Sequence, residues 1–425
     1  MKSYIFFCLA LLYMLSCKNS TSQDANYKAF VGARIIDGNG AEPLEDGVLL
    51  IQENQIIAIG SRDEMEIPDQ AEVIELTGKT IIPGIINGHG HVGDVQGISG
   101  GHYSSATIEK NLSIYAKYGI TTVVSLGGDQ EEALPFRHAA NQNPVNRSRL
   151  FIAGAVISGD TPAEAVQVVE KNHEMGVDFM KIRVDDNLGN ATKMSEDVYR
   201  AVIDKSHELG YQIATHSYYL EDSRKLLEAG SDLLAHSVRD LPVDDSFIGL
   251  IKEKNIGYCP TLTRELSTYV YEDTAAFFSD PFFLKVYRKD TFRPLLDPKR
   301  QAQVAANRSS QIYKRQLPTA YSNLKKLNEA GVPIVFGTDS GVPTRFMGYF
   351  EHLEMEMMAE AGMQPMDILV AATKNVAEYL NLEGLGTLAP GHFADFIILD
   401  ANPLQDIRNT RSIIETYIGG RVVEE

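Results

Sequence analysis

The sequence predicts an α/β protein, a (β/α)8 TIM barrel with a small β-sandwich domain built from both chain ends. Three observations predict it. Eight apolar, strand-like runs occur between Gly84 and Gly341. Amphipathic helical stretches separate most of them. Both ends of the chain, by contrast, read as short strands with turn punctuation and no helical period.

The opening segment reads as an address. Lys2 gives a short positive region, and Tyr4 to Leu15 is an apolar run too short to span a bilayer. It ends in Leu15-Ser16-Cys17, followed by a polar stretch. That is the form of a bacterial lipoprotein signal covering 1–16, with Cys17 as the acylated first residue of the mature chain; simple secretion is the alternative. Residues 17–26 then form a tether. The protein is expected to be exported to the bacterial cell envelope, periplasmic or at the surface, touching a membrane only through the lipid anchor. Of three cysteines, Cys8 leaves with the leader and Cys17 is acylated. Cys259 remains as a lone thiol, so no disulfide framework exists.

Residues 27–83 hold the first part of the β-sandwich, and 385–425 return to β-rich text and complete it. Between them, 84–384 form the barrel. Its strands are expected in GIINGHGH, GITTVVSLG, LFIAGAVIS, VDFMKIRV, YQIATHSY, DLLAHSV, IGYCPTL and PIVFGTDSG. Helices such as PAEAVQVVEKNHEMG, SEDVYRAVIDKSHELG and YLEDSRKLLEAG each close on glycine, a usual helix stop. One connection is abnormally long: residues 263–331, between strands seven and eight, far exceed an ordinary βα loop. This insert is rich in Tyr, Phe and Arg and is expected to be helical, either a peripheral hairpin with its own core or a substrate lid.

Composition narrows the function. Of 425 residues, 44% are hydrophobic and 23% charged, the balance of a globular protein. The net charge of −18 repels nucleic acid and anionic lipid, leaving a small molecule as the expected partner. A monomer and a homo-oligomer are both compatible with the sequence.

Functional side chains of such a barrel lie at the C-terminal ends of strands. Strand one ends in His89-Gly90-His91, strand four carries Lys181, strand five His216, strand six His236 and strand eight Asp339. Histidines at i and i+2 point to one side of a strand, so both can reach one ion. His, Asp and a modified Lys suit zinc or another borderline divalent metal. An H-x-H alone is weak in a chain with ten histidines; the joint pattern over five strands is specific. A buried, unpaired Lys181 is expected to lose its charge and to add carbon dioxide as a carbamate, an anionic bridge able to hold two cations. Pairing of Lys181 with Asp185 is the competing arrangement.

This pattern resembles the amidohydrolase superfamily, in its imidazolonepropionase-like and Xaa-Pro dipeptidase-like branch. The resemblance rests on KTIIPGIINGHGH, LLAHSVRD, FGTDSG and GTLAPGHFADFIILDANP. It implies that His89, His91 and Asp339 hold one metal and His216 and His236 the other, with carboxylated Lys181 bridging two divalent ions, most simply zinc. It also implies a bridging hydroxide that Asp339 activates as base, returning the proton to the leaving amine. Lys181 favours this binuclear, peptidase-like arrangement over the mononuclear deaminases. Strand five continues as HSYYLED and strand six as SVRD, departures from the frequent pattern at positions that face substrate.

Further candidates border the site. Tyr218 or Tyr219 is expected to steady an oxyanion. Arg239 pairs either with a substrate carboxylate or with Asp240 or Asp244. Arg183 faces inward or pairs with Asp185. His102 and Tyr103 are expected at the pocket edge, while His138, His173, His207, His352 and His392 read as structural. The expected activity is hydrolysis of a C–N amide or peptide bond in a dipeptide or N-acyl amino acid. A lactone, carbamate or phosphotriester is the alternative for the same binuclear site. A non-catalytic binding lipoprotein is the alternative of another class.

Overall fold

The structure, a computed structural model, describes residues 26–139 and 146–424. The expected leader, Cys17 and the tether up to residue 25 lie outside the described residues. No described helix is long and apolar enough to cross a membrane.

Both chain ends enter one eight-stranded sheet. Its N-terminal strands are β1 (Tyr27–Ile35), β2 (Leu44–Gln52), β3 (Gln55–Ser61), β4 (Glu72–Glu75) and β5 (Thr80–Pro83). Strands β13 (Phe396–Leu399), β14 (Ile413–Ile418) and β15 (Arg421–Val422) come from the other end. The order is β15-β14-β13-β5-β1-β2-β3, with β4 beside β1. Alternating apolar residues explain the core: Phe30, Phe396 and Tyr417 pack ring on ring, Phe396 and Tyr417 stacked at 4.4 Å. Register shifts at Val31/Ala33 and Ala33/Ile35 kink β1, so its first half pairs with β4 and its second half with β5.

The chain passes from this sheet into the α/β part through Gly84. A side chain there would lie 2.2 Å from Thr121, so only glycine allows β5 to run straight into the next strand. Two parallel runs follow. The first is β6 (Ile85–Gly90), β7 (Ile120–Ser125) and β8 (Arg149–Ile152). The second is β9 (Met180–Arg183), β10 (Ile213–His216), β11 (Leu233–Ala235) and β12 (Gly257–Cys259). These seven coincide with the first seven expected runs, and all are buried except at Phe151 and Arg183. An isolated bridge, Ile157 to Ile182, connects the two runs.

The eighth expected strand is corrected. PIVFGTDSG makes only single bridges, Ile334 to Tyr258 and Ser340 to Gly90, and no regular strand. Pro333 has no N–H to give, and Asp339 turns out of the extended region at φ 56. Its neighbours are nonetheless the two flanking strands: Val335 N–H donates to Tyr258 O, and Gly88 N–H to Phe336 O. Gly341 permits the closest approach, because a side chain there would lie 2.0 Å from His91 O.

A buried bidentate ion pair joins the two parts. Arg149, at the start of β8, donates from Nε (2.6 Å) and Nη2 (2.9 Å) to Asp395, just before β13.

The insert is helical, opening with Leu262–Tyr269 and closing with the long helix Arg308–Glu329. Its middle builds an aromatic core in which Phe283 lies 5.0 Å from Tyr287 and 4.9 Å from Phe346. Phe346 belongs to the loop after Asp339, so this core is continuous with the α/β core. The insert's two end helices instead reach the mouth of the site, through Arg264 and Glu265 on one and Tyr313 and Gln316 on the other.

Candidate active site

The ends of β6, β9, β10 and β11 converge with the Asp339 turn. His89 and His91 leave β6 on the same side, as the i, i+2 spacing requires. His91 Nε2 lies 2.9 Å from Asp339 Oδ1, and His89 Nε2 lies 3.9 Å from the same oxygen. These three residues each offer a donor atom within 4.8 Å of the others. The His236 ring completes a continuous cluster, 4.7 Å from His89 and 4.2 Å from His216. Lys181 Nζ points into it, 3.5 Å from His89 Nε2.

Three of the histidines are oriented by a second partner, the usual condition for a metal-ligating imidazole. His91 Nδ1 faces Gly127 O at 3.0 Å, His236 Nδ1 faces Thr261 Oγ1 at 2.6 Å, and His216 Nε2 faces Asp185 Oδ2 at 2.9 Å. His89 Nδ1 is buried with no hydrogen-bond partner. His236 (φ 107) and Thr261 (φ 46) both hold left-handed backbone conformations, and Asp339 does as well. Such strain concentrates where side-chain direction matters more than backbone comfort.

Electrostatics suit cation binding. Burial, then the Lys181 charge, lowers His89 well below its usual range. Burial brings His216 to about 3 and also pulls His236 down. Burial raises Asp339, but Arg345 and the bond from His91 outweigh it and hold the carboxyl well below the usual range. Neutral imidazoles and an ionised carboxylate are the forms that bind a divalent metal. Burial lowers Lys181 to about 8, with Asp339 opposing. The donor set therefore fits a metal at His89, His91 and Asp339.

The competing pairing of Lys181 with Asp185 does not form. Asp185 accepts from His216, from Asn187 N (2.9 Å) and weakly from Arg183 (3.5 Å). Arg183 is half exposed and lines a cavity of about 560 Å³ beside the site, with Asp185, Lys193 and Ser158.

The expected substrate contacts are placed differently. Arg239 has no exposed surface, and its partner is Glu265, 3.0 Å away, rather than Asp240 or Asp244. Asp240 caps Leu220 N and Asp244 binds Arg224. A guanidinium enclosed in this way does not meet substrate. Tyr218 is buried and donates to Gln316 of the insert, while Tyr219 donates to Asp186 at 3.0 Å. Both hydroxyls thus already have acceptors. His102 is exposed, and Tyr103 Oη accepts from Gln130 N at 2.9 Å.

Sequence reasoning missed Arg345, Arg264, Glu265 and two carboxylates behind the site. Glu351 Oε1 accepts from Asn87 (2.6 Å), Thr338 (2.7 Å) and Ser340, and Asn87 Oδ1 in turn accepts from His89 N. Glu354 accepts from Leu262 N, Thr263 N and Thr263 Oγ1. Both lie on the buried face of the helix Tyr349–Glu360. The only signal was a sequence, EHLEME, whose acids fall where an amphipathic helix would be apolar.

The fold is of TIM-barrel type, and its strand ends carry a His, Lys and Asp cluster suited to metal. The chain belongs to the Amidohydrolase family, whose model matches residues 80–423. It is similar to a 5-methylthioadenosine/S-adenosylhomocysteine deaminase of Bacillus cereus (strain B4264), 23% identical over 87% of this chain and 85% of the relative. Among solved structures it resembles a putative prolidase from Bifidobacterium longum, with TM-score 0.77 and 24% identity over 94% of this chain and 95% of that one. A Xaa-Pro dipeptidase with bound methionine in the active site is also similar, with TM-score 0.75 and 22% identity over 94% of this chain and all of that one (100%).

Proposed function

We propose that the chain is a metal-dependent hydrolase of a C–N amide or peptide bond, of dipeptide or N-acyl amino acid type. In this reading the parallel runs and their bridges are one closed (β/α)8 barrel, and two divalent cations, most simply zinc, sit at its mouth. His89, His91 and Asp339 would hold one, His216 and His236 the other, with a carbamate on Lys181 between them. The observation that carries the reading is Lys181: a buried amine aimed at the histidines, with no ion pair among the described residues. With its pKa lowered to about 8, a neutral fraction exists at neutral pH. That amine can form an N–C bond to carbon dioxide and release a proton to solvent.

Bound cations supply Lewis acidity and bring the pKa of water towards neutrality. The chain's own residues do the rest. Asp339, ionised and oriented by His91 and Arg345, accepts the proton of the attacking water and returns it to the departing amine. Gly127 O, Thr261 and Asp185 keep the imidazoles aimed at the centre.

The Bacillus relative is named a deaminase, which also breaks a C–N bond. Lys181 in the donor cluster favours the peptidase-like arrangement over that one. Lactones, carbamates and phosphotriesters suit the same site, and a non-catalytic binding lipoprotein is the reading of another class. We further propose export through residues 1–16 and a lipid anchor at Cys17.

The test is turnover by the metal-loaded protein, with metal content measured alongside. The panel comprises dipeptides including Xaa-Pro, N-acyl amino acids, lactones, aryl phosphotriesters and 5-methylthioadenosine. Amide turnover with bound metal is expected. Metal binding without any amide turnover would sink the assignment, and absence of both would favour the binding lipoprotein.

A further inference from the structure

Two guanidiniums share one carboxylate beside the site. Arg239 Nε lies 3.0 Å from Glu265 Oε1, and Arg264 Nη1 lies 3.1 Å from both Glu265 oxygens. Glu265 and Arg239 have no exposed surface, and Arg264 is 8% exposed. Glu265 is the only carboxylate in ion-pair contact with either guanidinium among the described residues. The trio therefore carries one excess positive charge inside the protein.

Such a charge is costly unless something compensates it. The aromatic faces of Tyr218, 4.6 Å from Arg239, and Tyr313, 4.7 Å from Arg264, do so only in part. Arg239 is sealed in. Arg264 is the member tied to the site: its backbone N–H donates to Thr261 O at 3.1 Å, and Thr261 Oγ1 faces His236 Nδ1 at 2.6 Å. Its backbone position is fixed independently. It sits in the first turn of the insert helix Leu262–Tyr269, whose leading N–H groups are held by Glu354 at 2.6 and 2.7 Å.

We infer that Arg264 binds an anionic group of the substrate, a carboxylate, and that Glu354 is the positioning residue that sets Arg264 at the mouth. A carboxylate arriving there completes two ion pairs where one carboxylate now serves two cations. The inference rests on the hydrolase reading only in that the bound group belongs to its substrate; the binding itself requires no turnover.

The experiment is calorimetric titration of the metal-loaded full chain with N-acetylglycine and with its neutral counterpart, N-acetylglycinamide. Arg264→Met is expected to weaken N-acetylglycine about tenfold or more, the scale of a charge-assisted hydrogen bond, and to leave the amide unchanged. Arg264→Lys should recover part of the loss. Equal weakening of both ligands, or none, would overturn the assignment. Folding is checked separately. Arg264→Met leaves Glu265 and Arg239 as a one-to-one pair, so the metal-free variant should melt no lower than the parent. A lower midpoint would make Arg264 a structural partner instead. Glu354→Gln turns an amide N–H towards a backbone donor. It should speed hydrogen exchange at Leu262 and Thr263 and weaken N-acetylglycine alone. Faster exchange with parental binding would remove Glu354's positioning role. Loss of amide turnover with this binding pattern intact would count against the hydrolase and not against Arg264.

Discussion

Asp185 Oδ2 lies 2.9 Å from His216 Nε2, so the carboxylate expected to compete for Lys181 serves a histidine instead. β9 ends at Arg183, and the chain beyond it turns at Asp185, where Asn187 N donates to the carboxylate. The amine is left facing imidazoles, and burial favours its neutral form against the opposing charge of Asp339.

Lys181→Met is therefore expected to keep the fold and lose the metal. Methionine fills nearly the same volume without the amine, so stability in the metal-free state should hold or rise. Metal analysis should fall and turnover vanish. Isotope-labelled bicarbonate should give a carbamate resonance in the parent that the variant lacks. Parental metal content in the variant would contradict the bridging role.

Asp339 has a structural duty beside its proposed chemical one, because Arg345 is paired with it at the buried mouth. Asp339→Asn strands that guanidinium and should cost about 2–4 kcal/mol in metal-free stability. Adding Arg345→Met removes the stranded charge and should restore most of the loss, but no turnover. Chemical denaturation of the single and double variants, with rates measured in parallel, separates the two duties. Recovery of activity in the double variant would refute the proton-transfer role.

How much of this was legible beforehand follows from how local each signal is. Seven barrel-type runs stand out because buried parallel strands are continuous apolar text. The candidate ligands stand out because strand ends are where such a fold carries chemistry. The eighth run reads like its siblings, yet the Pro333 start and the Asp339 turn leave it irregular; periodicity does not register a positive φ on aspartate. A place after a strand puts Tyr218 near an oxyanion and leaves Arg239 a choice between a substrate carboxylate and Asp240 or Asp244. Their actual partners, Glu265 and Gln316, come from an insert whose packing no spacing encodes. Arg345 and Glu354 were invisible for the same reason: each acts across more than one element boundary.

Glu354 offers a pH test free of the metal ligands, since its contacts are Leu262 and Thr263. Burial pushes its carboxyl up to about 7 against bonds that favour ionisation. The folded state then holds a proton that the unfolded state has released between about pH 4.5 and 7. Stability from this group falls as pH rises through that window and is level above it. The parent minus Glu354→Gln difference in metal-free unfolding free energy should shrink by about 1–3 kcal/mol across the window. A difference that grows with pH would mean that the carboxylate is ionised throughout.

The insert can be separated from the metal centre through Phe283. The ring has no exposed surface and packs against Phe277, Tyr287 and Phe346 at 4.9 to 5.2 Å. Phe283→Ala should cost about 3–5 kcal/mol, because so crowded an aromatic cluster collapses little around the lost ring. Yet the proposed metal ligands sit at the ends of β6, β9, β10 and β11 and on the Asp339 turn, and Glu351 ties Asn87 to Thr338 without the insert. Metal content per folded molecule should therefore stay at the parental value while the unfolding midpoint drops. If instead metal is lost before the protein unfolds, the aromatic core must reach the centre through Phe346 and Arg345, and the insert would be part of the catalytic frame, not a cover over it.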